Sequence, residues 1–189
     1  GQPIIGHLVR KGFAVQVQDV DPGKQAAVEA RGGQWLADPA VLARESDAIL
    51  ICVGYDRELR ELLSGRGLLK DVRRGAIIAI LSTVLPGTVR ELAQHARQLG
   101  IDVVDSPVCR GGRAADEGTL LSFVGGSAEI VDRLRPVLAA YSSDIVHIGD
   151  VGAAQVAKAV NNLILWACLV ADHEGLALAH RYGLDIEKL

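Results

Sequence analysis

Three polar residues, Lys158, Asn161 and Asn162, stand at positions i, i+3 and i+4 of an otherwise apolar stretch. This spacing places them on one face of a helix. A lysine and two amides among apolar residues need hydrogen-bond partners, because burial without partners is costly. A partly desolvated lysine has its ammonium form disfavoured, which is the direction that proton transfer near neutral pH requires. The pattern favours a proton-transferring lysine over a lysine whose side chain merely reaches the surface.

A second segment, residues 105–112, combines small residues and glycines with Cys109, Arg110 and Gly111. A strand that runs into such residues leaves backbone N–H groups free, and these groups can hold a carboxylate. The Arg110 guanidinium would add a charged fork for the same anion. The alternative is an ordinary glycine-rich turn with a solvated arginine. A covalent role for the Cys109 thiol is disfavoured, because no histidine lies near it in the sequence.

The first residues, Gly1, Gln2 and Pro3, open a helix-start pattern and supply at most the final glycine of a G-x-G-x-x-G motif. In that motif the glycines let the backbone approach a pyrophosphate at a helix N-terminus. Asp19 ends a strand-like run at the spacing expected for a carboxylate that binds a ribose diol. No arginine at residues 18–20 is available for a 2′-phosphate, so NAD is favoured over NADP. The alternative is that Asp19 and Asp21 only cap a turn.

Short aliphatic runs alternate with amphipathic stretches along the chain. This alternation predicts βαβ units, a doubly wound and mainly parallel sheet of the Rossmann type, and hence an α/β fold. Positive φ angles are expected at Gly32, Gly33 and Gly100, a helix start at Pro86, and a kink or boundary at Pro136. The strand-like runs are residues 14–19, 48–53, 76–81, 101–104, 120–124 and 145–148, and the helical stretches are residues 23–31, 86–99 and 127–141.

From residue 151 to about residue 180 the pattern changes to one long helix, which at 1.5 Å per residue would be about as long as a domain is wide. We therefore expect a dinucleotide-binding domain over residues 1–149. Residues 150–189 would form an interdomain helix and the start of an all-α domain. The chain opens with glycine and stops soon after a helix boundary, so we expect it to be a fragment of a longer protein.

Composition narrows the function classes. The formal net charge is −3 and 49% of the residues are hydrophobic, with no basic run that would favour nucleic acid or a membrane surface. The most apolar stretch, residues 163–171, is shorter than the roughly 20 residues that cross a bilayer. The three cysteines are widely spaced and lack the spacing of metal ligands. This predicts reduced thiols, no metal site and a cytoplasmic location.

Taken together, these residues resemble the β-hydroxyacid dehydrogenase family, and the resemblance extends over essentially the whole sequence. It begins at Gly1, as the last glycine of the family's G-x-G-x-x-G motif, and includes Asp19. Residues 82–86 match the family's S-T-x-x-P segment, which the resemblance places beside the nicotinamide, and residues 105–111 match its D-x-P-V-x-x-G loop. Residues 152–162 match its G-x-x-x-x-x-K-x-x-N-N helix.

The resemblance implies NAD-dependent oxidation of a small β-hydroxy acid. Lys158 would be the catalytic lysine, which bonds the reacting oxygen and mediates proton transfer while a hydride passes to the nicotinamide. Asn162 would orient the substrate and Asn161 would support the site. The helical domain would build a homodimer or homotetramer. The implied substrate-binding residues are Cys109, Arg110, Gly111, Asn161 and Asn162, and the implied cofactor-binding residues are Gly1, Gln2, Pro3, Asp19, Val20, Val53, Gly54 and Thr83.

The sequence differs from the family pattern in two respects, and three other functions remain as alternatives. The family loop usually reads D-A-P-V-S-G-G, whereas Cys109 and Arg110 stand in place of its serine and first glycine. This change predicts a more acidic or bulkier substrate. The sequence also lacks the first strand, two motif glycines and most of the helical domain. The rivals are an imine reductase, whose members usually lack the lysine, a 6-phosphogluconate-type decarboxylase, which would favour NADP, and a non-catalytic nucleotide-binding module.

Overall fold

The computed structural model describes residues 1–65 and 67–189. Nine α-helices and eight strands lie in this part of the chain, with short 3₁₀ turns at Pro22–Lys24 and Ile186–Lys188 and a π-helical turn at Glu61–Gly65. The helices are α1 (Gln2–Arg10), α2 (Gln25–Glu29), α3 (Pro39–Glu45), α4 (Asp56–Arg60), α5 (Leu68–Asp71), α6 (Pro86–Gln98), α7 (Gly111–Glu117), α8 (Ala128–Leu138) and α9 (Ala153–Arg181). The strands are β1 (Gln16–Val17), β2 (Gln34–Trp35), β3 (Ala48–Ile51), β4 (Ile77–Ile80), β5 (Asp102–Asp105), β6 (Val108–Cys109), β7 (Leu120–Gly125) and β8 (Ser142–Gly149).

The main sheet is mixed but mainly parallel. Strands β3, β4 and β5 run parallel to one another. Strands β5 and β6 pair with the same edge of β7, one after the other, and both run antiparallel to it. Strand β8 pairs with the opposite edge of β7 and runs parallel to it. Strands β1 and β2 form a separate parallel pair. The predicted α/β architecture is confirmed, and the antiparallel β7 is an addition to it.

Strand β4 shows why the sheet is doubly wound. All four of its residues are buried, as expected for a parallel strand covered on both faces. Ile78 and Ile80 pack on one side with residues of α3 to α6, whereas Ile77 and Ala79 pack on the other with α1, α7 and α8. Burying one such aliphatic side chain contributes about 1.5–3 kcal/mol relative to exposure. The alternation therefore holds helices against both faces of the sheet.

Element boundaries differ from the predictions where contacts are few. The strand expected at residues 14–19 is only Gln16–Val17, because its one partner is the short β2. The helix expected at residues 23–31 becomes a 3₁₀ turn followed by Gln25–Glu29. Strands β2 and β6 and helix α7 were not predicted. All three are too short for hydrophobic periodicity to reveal them.

The glycine and proline predictions are mostly confirmed. Gly32 and Gly100 have φ angles of +83° and +75°, and Pro86 is the first residue of α6. The prediction for Gly33 was wrong, because its φ is not positive. A Cβ there would lie 3.0 Å from a methyl group of Ile5, so close packing explains the glycine instead. Pro136 lies inside α8, which ends two residues later, so it does not mark the helix boundary.

Helix α9 has 29 residues and confirms the long helix predicted from residue 151 to about residue 180. Only Ala154, Gln155 and Ala179 are buried, and most of its large apolar side chains are exposed. By length and composition alone α9 could cross a membrane, although residues 163–171 are by themselves too short. One such helix is weak evidence for a membrane span. Its first turns pack against β5, β7 and β8 of the main sheet.

Candidate active site

Lys158 lies where the long helix passes the end of β6. Its Nζ donates to the Sγ of Cys109 at 3.4 Å. Cys109 is buried, with 6% of its surface exposed, and Lys158 is partly buried. The structure therefore brings together the lysine and the glycine-bearing loop, two segments that are 49 residues apart in the sequence. A partly buried ammonium with a thiol neighbour can hold or give up a proton at one defined position.

The two amides follow Lys158 on the same helix, as their spacing predicted. Both Asn161 and Asn162 are partly buried, and the Nδ2 of Asn161 donates to the Oδ1 of Asn162 at 3.3 Å. That bond uses one donor of Asn161 and one acceptor of Asn162, so the Nδ2 of Asn162 still has two N–H groups to offer. This arrangement is compatible with the predicted roles, in which Asn162 faces the substrate and Asn161 supports it.

Arg110 makes contacts that differ from the expected carboxylate fork. Its Nη1 donates to Asp144 Oδ2 at 2.6 Å, to Ser143 Oγ at 2.9 Å and to the Thr119 carbonyl at 3.1 Å. The hydrogen bond from Arg110, a second hydrogen bond from Ser143 Oγ and the positive charge of Arg110 hold the pKa of the exposed Asp144 carboxyl below its usual range. The guanidinium thus already has an anionic partner on β8. The substrate-binding role of Arg110 stays a prediction.

The loop backbone at Arg110 and Gly111 is left-handed at two successive residues. The φ angles are +85° at Arg110 and +73° at Gly111. Arg110 is the residue before α7, and no side chain caps that helix start. No other non-glycine residue among residues 1–65 and 67–189 has a positive φ. Glycine adopts this conformation without strain, whereas an arginine does so at a cost.

Two buried side chains tie the start of α9 to the carboxyl ends of the strands. The Asp105 carboxylate, at the end of β5, accepts the N–H groups of Gly152 and Gln155 at 2.7 and 2.9 Å. Burial raises the pKa of Asp105, against the lowering effect of these hydrogen bonds. The Gln155 side chain bonds the backbone on both sides of Thr83. Neither residue was given a role from the sequence. The signal available was a glutamine in the motif that ends at Asn162.

The cofactor residues predicted near the chain start lie in the first turn of α1. Gly1 directly precedes this helix, and Gln2 and Pro3 are its first two residues. The N–H groups of a first helical turn have no partner within the helix. A helix N-terminus is therefore a place where a diphosphate can bind. The residues present therefore fit the phosphate part of a dinucleotide.

Asp19 lies at the turn after β1. Its Oδ1 accepts the Asp21 N–H at 3.0 Å, and Asp21 in turn accepts the Gly23 N–H at 2.9 Å. The turn-capping alternative is therefore present, and the second oxygen of Asp19 accepts a hydrogen bond from Lys24 Nζ. Burial raises the pKa of Asp19, but the hydrogen bonds from Asp21 and Lys24 and the charge of Lys24 lower it below its usual range. An ionised carboxylate near α1 suits a ribose diol.

Lys24 is a residue that the sequence analysis missed. Its Nζ lies 3.1 Å from Asp19 Oδ2, and both side chains are partly exposed. Residues 18–20 contain no arginine, but the 3₁₀ turn at Pro22–Lys24 brings a lysine back to the same carboxylate. A basic group is thus present beside the predicted ribose site. Val20, next to Asp19, is 75% exposed and can pack against a ligand.

The remaining predicted cofactor residues follow the ends of β3 and β4. The Val53 N–H donates to Ser82 Oγ at 2.8 Å, which joins these two strand ends. The Gly54 N–H donates to a Glu58 carboxylate oxygen at 2.7 Å, and that oxygen would lie 3.1 Å from a Cβ at residue 54. Thr83 is exposed between two buried neighbours. All three border one edge of the sheet, where dinucleotides bind in folds of this type.

The described ranges, 1–65 and 67–189, contain no group of three or more His, Cys, Asp or Glu side chains that could hold a metal ion. The three cysteines are free thiols.

A doubly wound sheet, with a helix that starts beside it and with predicted cofactor residues at the carboxyl ends of its strands, defines the class of Rossmann-type dinucleotide-binding proteins. The chain belongs to the family described as the NAD binding domain of 6-phosphogluconate dehydrogenase, whose model matches residues 1–149. This family agrees with the NAD cofactor that the sequence predicted. The predicted resemblance to β-hydroxyacid dehydrogenases is confirmed by the relatives.

Among curated relatives, a 2-(hydroxymethyl)glutarate dehydrogenase from Eubacterium barkeri is 33% identical over 190 residues, covering 100% of this chain and 63% of that protein. Among solved structures, a Mycobacterium tuberculosis 3-hydroxyisobutyrate dehydrogenase with L-serine has a TM-score of 0.91 at 28% identity, covering 97% of this chain and 62% of that one. The chain thus spans about six-tenths of the length of these relatives. A Streptomyces aurantiacus imine reductase, with a TM-score of 0.89 at 20% identity and coverage of 98% and 65%, shares the fold alone.

Proposed function

We propose that this chain is part of an NAD-dependent oxidoreductase that transfers a hydride between a small β-hydroxy acid and NAD. One observation carries the proposal. The Nζ of Lys158 meets the substrate loop at Cys109, on a helix whose first turn is bonded to both sides of Thr83. The lysine, the loop and the predicted nicotinamide segment therefore converge on one place. Relatives named as hydroxyacid dehydrogenases support the same class of reaction.

In this proposal the chain's own residues bind, orient and move a proton. The first turn of α1 would hold the diphosphate of NAD, and Asp19 would accept hydrogen bonds from the ribose diol. Lys158 removes the proton from the substrate hydroxyl as the alcohol is oxidised, or returns it in the reverse direction. The Cys109 thiol keeps Nζ at the loop. When bound, NAD supplies the hydride acceptor.

The substrate carboxylate is assigned to the loop backbone at Cys109 and Gly111, together with Asn162. This assignment omits the Arg110 side chain, because Asp144 already binds its guanidinium at 2.6 Å. Arg110 instead anchors the loop to β8. The choice of hydroxy acid then depends on the space around Cys109 and not on an added positive charge.

The experiment follows NADH formation at 340 nm by the whole protein with a panel of small β-hydroxy acids, and with NADP in parallel. Lys158→Ala should lower kcat by about 10²- to 10⁴-fold, the usual contribution of general acid–base catalysis. NAD binding, measured by calorimetry, should change little, because Lys158 is assigned to the substrate and not to the dinucleotide. Lys70→Ala, at an exposed position on α5, is the matched control and should leave both quantities unchanged.

Other outcomes would favour the rivals. NAD binding without turnover of any acid by the wild-type protein would support a non-catalytic module. Turnover of cyclic imines that survives Lys158→Ala would support an imine reductase.

We further propose that protein covers the exposed apolar residues of α9, as in a homodimer or homotetramer formed through the helical region. The helix carries Lys158, Asp172 and Glu174 along its length. Ionisable residues are rare within membrane spans because their burial in lipid is costly. We also propose that the protein is cytoplasmic and that it has no nucleic-acid partner.

A further inference from the structure

Gln155 is the most completely buried polar side chain of α9, with 1% of its surface exposed. Its Oε1 accepts the Val84 N–H at 3.0 Å, and its Nε2 donates to the Ser82 carbonyl at 2.9 Å. These two backbone groups flank Thr83. The side-chain amide therefore bonds the segment after β4 through one acceptor and one donor, as the backbone of a neighbouring strand would.

The backbone of Gln155 is fixed as well. Its N–H donates to Asp105 Oδ2 at 2.9 Å, and the Gly152 N–H donates to Asp105 Oδ1 at 2.7 Å. Asp105 is fully buried at the end of β5. Four buried hydrogen bonds thus join the first turn of α9 to two neighbouring strand ends. Lys158 lies three residues further along the helix, on nearly the same face as Gln155.

We propose that Gln155 is a positioning residue that sets the distance between Lys158 and the segment around Thr83. The inference rests on the proposed function, in which Lys158 transfers the proton beside the nicotinamide. A helix is a rigid rod over one turn, so a shift at Gln155 moves Lys158 by a similar amount. Displacement of a reacting group by about 1 Å can lower a rate by about 10²-fold.

The test compares Gln155→Met with the wild-type whole protein. Methionine has a similar volume but neither hydrogen bond, so Val84 N–H and the Ser82 carbonyl lose their partner. We expect kcat to fall by about 10- to 100-fold, while KM and the NAD dissociation constant change by less than about threefold. Gln94→Met, at an exposed position on α6, is the matched control and should change none of these values.

A second readout does not depend on turnover. Hydrogen exchange at the Val84 amide should accelerate at least about tenfold in Gln155→Met but not in Gln94→Met, since exchange follows local opening. Gln155→Asn keeps an uncharged amide but shortens its reach, so its kcat should lie between those of the wild type and Gln155→Met. This variant also serves if the methionine substitution prevents folding.

Failure of the positioning role can be distinguished from failure of the proposed function. If the wild type turns over a β-hydroxy acid and Val84 exchange accelerates in Gln155→Met while kcat is unchanged, the positioning role is wrong and the proposed function stands. If Gln155→Met lowers kcat, NAD affinity and thermal stability and also raises KM, Gln155 is only structural. If the wild type turns over no β-hydroxy acid, the proposed function fails and the positioning role fails with it.

Discussion

At the scale of single residues, Arg110 shows how a local conformation and a long-range partner together assign a role. Its left-handed backbone, with φ at +85°, turns the chain between β6 and α7. Its side chain reaches residues 33 and 34 positions further along the chain, Ser143 and Asp144. The pairing side chains are about half exposed, so the ion pair itself adds little stability. Its consequence is to fix where the loop lies relative to β8.

We expect the free energy of unfolding of Arg110→Gly to lie within about 1 kcal/mol of the wild-type value. Glycine relieves the strain of the left-handed backbone, and this gain offsets the loss of the exposed ion pair. Arg110→Ala loses the same pair and retains the backbone cost, so it should be less stable than Arg110→Gly by about 1 kcal/mol. Urea unfolding of both variants measures the difference. In turnover assays both variants should keep KM for the hydroxy acid within about threefold. A tenfold or larger rise in KM for both would restore the substrate-binding role.

At the scale of elements, the start of α9 depends on the closeness of three backbone segments. Gly125, at the end of β7, faces the Asp105 carboxylate that accepts the first N–H groups around the helix start. A Cβ at residue 125 would lie 2.4 Å from Asp105 Oδ1 and 2.9 Å from the Asp150 carbonyl oxygen. No side chain fits there without moving the carboxylate or the turn before α9. The position of Lys158 therefore depends on a glycine in a different element.

Gly125→Ala should lower the free energy of unfolding by about 1–3 kcal/mol, the cost typical of overpacking a buried site. It should also reduce kcat, since the start of α9 must shift. Gly175→Ala is the matched control. Residue 175 lies on α9, and nothing lies within 4 Å of a Cβ added there. That variant should gain up to about 1 kcal/mol from helix propensity and keep its kcat. Equal stability of the two variants in urea unfolding would show that the crowding at Gly125 is relieved at no cost.

At the scale of the whole molecule, the cofactor end joins α1, the turn after β1 and the 3₁₀ turn that carries Lys24. The carboxylate of Asp19 disfavours a 2′-phosphate, whereas the ammonium of Lys24, 3.1 Å away, favours one. The preference for NAD over NADP is therefore a balance between two charges of opposite sign. That balance can be measured through the stability of the folded protein, because a ligand that binds only the native state raises it.

NAD at about 100 times its dissociation constant should stabilise the protein by about 2.7 kcal/mol. This corresponds to a rise in Tm of about 5–10 °C for a protein of this size. NADP at the same concentration should give a smaller rise. Asp19→Ala should remove most of the difference between the two cofactors, and Asp21→Ala, which affects only the turn cap, should keep it. Equal shifts with NAD and NADP in the wild type would mean that Lys24 neutralises Asp19 and that the predicted preference is wrong.

Much of the architecture was predictable because the signals are local. Strand β4 is a continuous aliphatic run, and its burial on both faces follows from that composition. Helix α9 was predicted to within a few residues, since no breaker interrupts it after Gly152. Strand β2 and helix α7 were missed because each is too short to repeat a period, and their existence depends on the partners they meet.

The sequence by itself determined the residue types available for chemistry and their spacing within each motif. Lys158 and the two asparagines share a helix face because the helical repeat is fixed by backbone geometry. Only the tertiary structure decided which motifs meet. Gln155 and Val84 are 71 residues apart, Lys158 and Cys109 are 49 apart, and Arg110 and Asp144 are 34 apart. Such contacts depend on the order in which strands pair and on which helix covers them. Periodicity along the chain carries no information about a partner that distant, so the roles of Arg110 and Gln155 required the folded molecule.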